Sequence, residues 1–276
     1  MQVKPILQPN AGERVAGSSP LLASRVEDWN RRLNLFSGRT LSDLALTAEQ
    51  EGRAGRLALR GQAFSPGIVS GLEVAKSGPL SITLSAGLGF TASGEEIYLP
   101  TPAAINLNEA RVVLNGVLDD TLGNFIKAAK PLPSAAILVL QPVTVQAIGN
   151  PDPADPCEAD PSSDPFDDQQ LVDACRLLLV AWPATLGPIP AHRKVWRNRL
   201  AWTLFNTEEA LAADQPPVWA ESGLPIALAG FDPATGGGLT LSFLDRHAVA
   251  RDGGKPRRRI GKLGPSILWQ ARLQQF

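Results

Sequence analysis

The spacing of apolar and polar positions predicts a helix soon after the start of the chain. Residues 1–17, which contain Pro5, Pro9 and Gly12, are predicted to be an extended arm that orders on a partner, or a frayed terminus. Ser19 and Pro20 are typical of a helix start. One apolar stripe then follows at intervals of four, three and four residues: Leu22, Val26, Trp29 and Leu33. We expect this stripe to be core, with a partner surface as the alternative.

A second helix is predicted from Ser42 to about Gln62. Gly52 and Gly55 weaken this prediction, because glycine costs up to about 1 kcal/mol relative to alanine inside a helix. The same glycines would allow another backbone to approach closely. A basic stripe runs along the helix at intervals of three and four residues: Arg53, Arg56 and Arg60. This stripe is either a solvated face or a docking surface for an acidic partner.

From Pro66 onwards the apolar period changes to two, which is typical of β-strands. Short strands are predicted over residues 68–74, 81–84, 97–99, 111–114, 136–140 and 143–145. Gly78-Pro79 and Ser93-Gly94 are predicted turns, and Pro142 indicates a sheet edge or a bulge. A small antiparallel sheet or sandwich would close residues 66–148 into one unit.

The C-terminal part of the chain predicts strands mixed with one long helix. The helix is predicted from His192 to Leu211, and the strands over residues 177–180, 226–229 and 239–243, with 247–249 as a further candidate. The predicted fold class is therefore α+β: N-terminal helices lead into a small antiparallel β-sheet or sandwich, followed by a second mixed α/β region. Four parts are predicted: an arm and helix (1–35), a helix and sandwich-like module (36–148), an acidic loop (149–168) and a mixed region with a basic C-terminal segment (169–276).

Two segments of opposite charge are candidate contact sites. Residues 149–168 contain repeated Asp-Pro steps, including Asp155 and Asp160, and are predicted to be a long loop. A plain acidic loop, docking on a basic neighbour and calcium binding are the alternatives, but the spacing does not match an EF-hand. Near the C-terminus the basic residues include Arg246, Arg257, Arg258 and Arg259. We expect a protein or internal contact there, with a solvated tail or nucleic acid as alternatives; no aromatic residues alternate as a stacking platform would require.

Composition and charge limit the classes of partner. The chain has 276 residues, 44% of them apolar, and a net charge of −1, so it exerts no global pull on nucleic acid. It contains no apolar run of 18 residues, so membrane insertion is not predicted. Residues 1–5 lack the apolar core of a signal peptide, and we expect synthesis in the cytoplasm. Cys157 and Cys175 are interpreted as reduced thiols, with a disulfide, or a metal site that includes His192 or His247, as alternatives.

The common catalytic motifs are missing from the sequence. It contains no Gly-x-Ser-x-Gly, no P-loop and no His-Glu-x-x-His. His192 and His247 are expected to be structural. Glu95 and Glu96 would point to opposite faces of a strand, so they cannot form an acid–base pair by themselves. No catalytic, cofactor or metal site is predicted and the protein is not expected to be an enzyme, although a hydrolase built from distant carboxylates stays an alternative.

Several short motifs resemble those of one family of structural proteins. The motifs are Phe36-Ser37-Gly38-Arg39-Thr40-Leu41, Glu49-Gln50, the segments 67–74 and 85–88, Gly94-Glu95-Glu96-Ile97, the segments 155–161 and 172–177, Trp182-Pro183, and the segments 196–201 and 245–249. Their order is similar to that in baseplate-associated or accessory proteins of contractile phage tails and phage-like injection systems. The similarity extends over most of residues 36–276. Ala86-Gly87 stands where that family usually has Pro-Gly.

The resemblance implies a structural component of such a particle, made in the cytoplasm and assembled into its tail. Its partners would be other tail or baseplate proteins and further copies of itself, as a trimer or a hexameric ring, with no cofactor. The residues expected at its interfaces are Trp29, Arg53, Arg56, Arg60, Asp155, Asp160, Arg246, Arg257, Arg258 and Arg259. A carbohydrate- or receptor-binding module is the alternative, with Trp182, Trp219 and Trp269 as the exposed aromatic residues that it would need.

Overall fold

The fold combines four helices with three β-sheets in the part of the chain that the structure describes. The computed structural model describes residues 13–15, 43–128, 130–131, 134–147, 170–190, 193–211, 215–234, 238–254 and 267–275. The helices are α1 (Asp43–Gly61), α2 (Leu122–Lys127), α3 (Trp196–Ala210) and α4 (Ile267–Gln275). The predicted α+β class is confirmed.

Thirteen strands are described, and most are short. They are β1 (Glu13–Val15), β2 (Gly67–Gly71), β3 (Val74–Gly78), β4 (Ser81–Leu84), β5 (Gly87–Phe90), β6 (Glu96–Leu99), β7 (Ala103–Asn106), β8 (Arg111–Leu114), β9 (Val117–Thr121), β10 (Ala135–Ala147), β11 (Gln170–Ala181), β12 (Leu224–Pro233) and β13 (Leu239–Asp245). Strands β10 and β11 are the longest. The first half of β10 and the last half of β11 are apolar at nearly every position, as expected for strands that are buried on both faces.

The large sheet is mixed and has seven strands. Its order is β13-β12-β10-β11-β8-β9, and β1 pairs with β10 beyond the end of β12. All pairs are antiparallel except β8 with β11. Two smaller antiparallel sheets, β2-β5-β6 and β3-β4-β7, have three strands each.

The large sheet is buried on both faces, which explains the continuous apolar run in β10. Leu138 and Leu140 point towards the core shared with the two small sheets and α2. Ile137 and Val139 point to the opposite face, which packs against α3 and α4. Alternate residues of one strand therefore belong to two separate cores, as strand geometry requires.

Residues 149–168 do not separate two sheets. β10 comes before this segment and β11 after it, yet the two strands pair in register from Ala136–Ala181 to Ala147–Gln170. The large sheet therefore takes strands from both of the regions that the sequence suggested, 36–148 and 169–276. The segment 149–168 itself lies outside the described residues, as does the helix predicted from Pro20 to about Asn34.

Two local predictions were wrong. Residues 68–74 form two strands in different small sheets, because Gly71 (φ 59°) and Leu72 (φ 51°) both adopt the left-handed conformation, which breaks the ladder. Residues 247–249 form a turn rather than a strand, and the backbone N–H of Ala250 donates to the carbonyl of Arg246 at 2.8 Å.

Candidate interaction surfaces

Four of the ten predicted interface residues lie in the described part of the chain. Arg53 and Arg60 are exposed on α1, whereas Arg56 and Arg246 are half-buried. The other six lie outside the described residues: Trp29, Asp155, Asp160, Arg257, Arg258 and Arg259. Four surfaces of the described residues are candidates for contacts: α1, the outer face of one small sheet, the projecting part of β10 and β11, and the segment around Arg246.

Helix α1 exposes leucines and buries glycines, which is the reverse of an ordinary surface helix. Leu46 and Leu57 are 47% and 60% exposed. Gly52 and Gly55, on the other side of the helix, are buried. Leu46 and Leu57 belong to a set of exposed residues spaced four, three, four and three apart, which we call the α1 seam: Leu46, Gln50, Arg53, Leu57 and Arg60.

The C-terminal end of α1 is fixed against a turn of the small sheet. The N–H of Gln62 donates to the carbonyl of Ala58 at 3.0 Å, and the Gln62 side chain donates to the carbonyl of Ser93 at 3.3 Å. Gly61 and Gly94 meet backbone to backbone, so that a Cβ on either would overlap its neighbour. Gly94 also has φ of +83°, which only glycine adopts at low cost.

The outer face of the sheet β2-β5-β6 carries aromatic and apolar side chains. Tyr98 is 67% exposed and lies opposite Leu88 in the register of β5 and β6. Phe90 is on the same face of β5, and its ring stacks on that of Phe64 with centroids 5.9 Å apart. Phe64 follows α1 directly, so this apolar face continues from the end of the helix.

Strands β10 and β11 project beyond the body of the large sheet. Pairing between β12 and β10 ends at Leu140, and β8 pairs with β11 only over residues 178–180. The seven β10 residues 141–147 continue as a ribbon with β11, which spans about 23 Å at the usual rise of a strand. On the edge of β10 that faces β12 and β1, pairing with β12 ends at Leu140 and pairing with β1 begins at Val143. Pro142 lies between these two positions, where no strand on that edge needs the N–H that proline lacks.

The segment from Arg246 to Asp252 borders a cleft of about 390 Å³. Its lining residues are Ile68, Glu73, Val74, Arg246, His247, Ala250, Arg251, Asp252 and Gln274. The Nη2 of Arg246 donates to the carbonyl of Gly71 at 2.8 Å, and its Nη1 lies 3.6 Å from Glu73. The contact that we expected this basic residue to make is therefore internal.

Arg251 is the most extensively bonded side chain beside this cleft. Its guanidinium holds both carboxylate oxygens of Glu208, at 3.1 and 2.5 Å, and lies 5.0 Å from the centroid of the Phe205 ring. It also donates to three backbone carbonyls of the preceding turn: those of His247, Ala248 and Ala250. These bonds tie the turn to α3 and leave the Arg251 side chain only 10% exposed.

A buried carboxylate joins the same turn to both C-terminal helices. Asp245 is 1% exposed and accepts hydrogen bonds from Nε of Arg197 at 2.7 Å and from Nε2 of Gln275 at 2.8 Å. It also accepts one from the N–H of Ala248 at 3.3 Å. A buried carboxylate with these three donors holds α3, α4 and the turn together.

Among the residues that the structure describes, three groups have a clearly shifted pKa. The pKa of Asp119 is lowered, chiefly by the hydrogen bond from the N–H of Asp120 and then by Lys130. The pKa of Asp120 is lowered by the hydrogen bonds from the Asn124 side chain and from the N–H of Thr121. Burial raises the pKa of the Cys175 thiol on β11. Asp119 and Asp120 lie at the end of β9, where Asp119 pairs with Lys130 and Asp120 accepts a hydrogen bond from the Asn124 side chain on α2. Their shifted pKa values therefore accompany structural contacts.

The tryptophans proposed for carbohydrate binding are not available for it where the structure describes their side chains. Trp219 is buried, at 1% exposure, so its assignment as an exposed aromatic residue was wrong. Trp182 is half-buried and donates its indole N–H to the carbonyl of Gly187 at 3.0 Å. The Trp269 side chain lies outside the description. Tyr98 on β6 is an exposed aromatic residue of a sheet face. Its place in the alternation of β6 was the signal that sequence reasoning missed.

The described residues were also compared with the requirements of metal and membrane binding. Within the described ranges, no three His, Cys, Asp or Glu side chains are grouped so as to hold a metal ion. None of the helices that the structure describes is long and apolar enough to cross a membrane. Neither a scan against protein-family models nor a search of curated proteins finds a match for this chain.

Proposed function

We propose that this protein is a structural component of a contractile phage-tail-like particle, baseplate-associated or linking a fibre to the baseplate. It acts through protein–protein interfaces with other tail or baseplate proteins and with further copies of itself. The particle is suggested by the resemblance of the motifs in residues 36–249 to that structural family.

The observation that carries the proposal is the α1 seam. Apolar side chains that a monomer would normally bury are exposed there, while the glycines of the same helix are turned inwards. Leu46 and Leu57 lie on one face of the helix with Gln50 and Arg53 between them, which gives a mixed apolar and polar surface that another protein could contact. The outer face with Tyr98, Leu88 and Phe90 adds a second surface of the same character, directly after α1.

The test is to find where the protein goes in the cell that makes it. The tagged full chain is expressed in its native host, and sheathed particles are purified and viewed by electron microscopy with a label on the tag. Labelling at one end of the particles is the expected result. Sheathed particles that carry no label, together with tagged protein recovered only in the soluble fraction, would overturn the proposal.

A carbohydrate- or receptor-binding module is the second candidate, and Tyr98 is the observation that favours it. An aromatic ring exposed on a flat sheet face can stack against a sugar. Glycan-array binding that is lost in Tyr98→Ala but kept in Trp202→Ala, another exposed aromatic residue, would support this candidate. Equal binding by both variants would exclude Tyr98 as the sugar platform.

A further inference from the structure

The α1 seam has the spacing of a coiled-coil contact. Its residues recur every three or four positions, which keeps them on one narrow stripe of the helix. Its two leucines are separated by exposed polar residues, Gln50 and Arg53, and lie on the side away from the buried Gly52 and Gly55. We propose that this seam binds the seam of a second copy of the same chain, with the two α1 helices antiparallel.

The positions of the leucines determine the orientation. Leu46 and Leu57 lie at equal distances from the midpoint between Gln50 and Arg53. Two antiparallel helices centred on that midpoint place each Leu46 against Leu57 of the other copy. Each Gln50 then meets Arg53 of the other copy, and the contact has the two-fold symmetry of an isologous dimer.

The charges oppose the parallel alternative. In a parallel, in-register pair, Arg53 would face Arg53 and Arg60 would face Arg60, which places like charges directly against each other. In the antiparallel pair Arg53 faces an amide instead. A polar layer between two leucine layers also favours this register, since shifted registers can place Arg53 against a leucine or against Arg53 of the other copy.

An ion pair already present on α1 adds to this complementarity. Nε of Arg53 lies 3.3 Å from Oε1 of Glu49, while the Arg53 side chain remains 73% exposed. In the antiparallel register Glu49 of the second copy lies within one turn of the same Arg53. Each arginine is then flanked by two carboxylates, one from each chain, in a small network of ion pairs across the two-fold axis.

The contact is compatible with the rest of the fold. α1 is fixed at its C-terminal end by Gly61, Gly94 and Gln62, so pairing requires no change in how the helix is held. This inference deepens the proposed function by naming a second copy as the partner. Dimerisation is measured on the isolated protein, so its failure is distinguishable from failure to associate with a particle.

The first experiment is sedimentation equilibrium of the purified full chain over a range of concentrations. The wild type is expected to show a concentration-dependent monomer–dimer equilibrium. Leu57→Gln and Leu46→Gln are each expected to weaken it by about tenfold or more, since each removes two of the four buried leucines. The matched control is Leu273→Gln, a leucine that is 73% exposed on α4, and it should leave the equilibrium unchanged. Circular dichroism establishes that every variant is folded.

A charge exchange tests the register. Arg53→Glu is expected to weaken the dimer, because it puts a second carboxylate beside Glu49 in both chains. The double variant Glu49→Arg with Arg53→Glu should restore the association, because the opposite charges meet again. A wild type that is monomeric at every concentration would overturn the proposal and would leave residues 1–42 or a different protein to cover the seam. A dimer that is insensitive to the changes at positions 46, 53 and 57 would overturn it as well.

Discussion

Replacing Arg251 by alanine is expected to destabilise the protein strongly. This arginine is bonded to both carboxylate oxygens of Glu208 and to three carbonyls of the turn that follows β13. Its removal leaves the Glu208 carboxylate, which is 22% exposed, without its main counter-charge. Breaking a buried ion pair from one side costs about 3–5 kcal/mol, and because Glu208 is partly exposed we expect a loss at the lower end, about 3 kcal/mol.

The measurement is the free energy of unfolding in urea for four proteins: wild type, Arg251→Ala, Glu208→Gln and the double variant. The sum of the losses in the two single variants should exceed the loss in the double variant by at least about 1.5 kcal/mol, because each single change removes the same charge-assisted bonds. Arg251→Lys should lose much of the stability as well, since an ammonium cannot reproduce the two-pronged contact.

Arg199→Ala is the matched control, since Arg199 is exposed on the same helix as Glu208. It should change the free energy of unfolding by less than about 0.5 kcal/mol. If Arg251→Ala were as mild as Arg199→Ala, the ion pair would not stabilise the junction and the reasoning would be refuted. Additive losses in the double variant would refute the claim that the two side chains act together.

Three further results are expected. Gly94→Ala should lower the free energy of unfolding by about 2 kcal/mol, because Gly94 has a positive φ and a Cβ would overlap the carbonyl of Ala58. The control is Gly116→Ala, because Gly116 also has a positive φ but lies in open space. Equal losses in the two variants would mean that the close approach at Gly94 does not matter. The lowered pKa of Asp120 implies stabilisation that is complete above the ordinary aspartate pKa and is lost as the pH falls through the pKa of the folded state. In Asp120→Asn, the free energy of unfolding should therefore fall less steeply between about pH 5 and about pH 2 than in the wild type. The same dependence on pH in both proteins would contradict this. Burial raises the pKa of Cys175, so in a Cys157→Ser background iodoacetamide should alkylate Cys175 more slowly in the folded protein than in urea, and equal rates would argue against burial of the thiol.

Local elements followed from local signals. α1 was predicted from Ser42 to about Gln62 and is found at Asp43–Gly61, where polar residues and Gly61 end the helical pattern. The predicted helix from His192 to Leu211 is found as α3, with a short 3-10 turn before it. The predicted strands 81–84 and 111–114 are found as β4 and β8. In each case apolar periodicity and a neighbouring turn residue are sufficient.

The pairing of strands did not follow from the sequence. The two left-handed residues Gly71 and Leu72 divide one apparent strand between two sheets, and a buried leucine gives no signal of positive φ. The pairing of β10 with β11 spans the segment 149–168, and such long-range pairing leaves no periodic trace. A readable signal was overlooked at Asn115-Gly116, both with positive φ, which is the preferred pair for the tight turn between β8 and β9.

Four arginines in the described part of the chain differ in their surroundings. Arg197, Arg246 and Arg251 bond to acceptors on distant elements, and so hold the C-terminal turn, α3 and the small sheets together. Arg53 is mostly exposed, between two exposed leucines of the same helix. A charge placed beside exposed leucines keeps a monomer soluble and limits the partners that the leucines accept, because a partner must also match the charge. Arg53→Leu should therefore increase self-association but make it less selective, which appears in sedimentation as species larger than a dimer. A variant that remains strictly dimeric would mean that Arg53 does not restrict the partners of the seam.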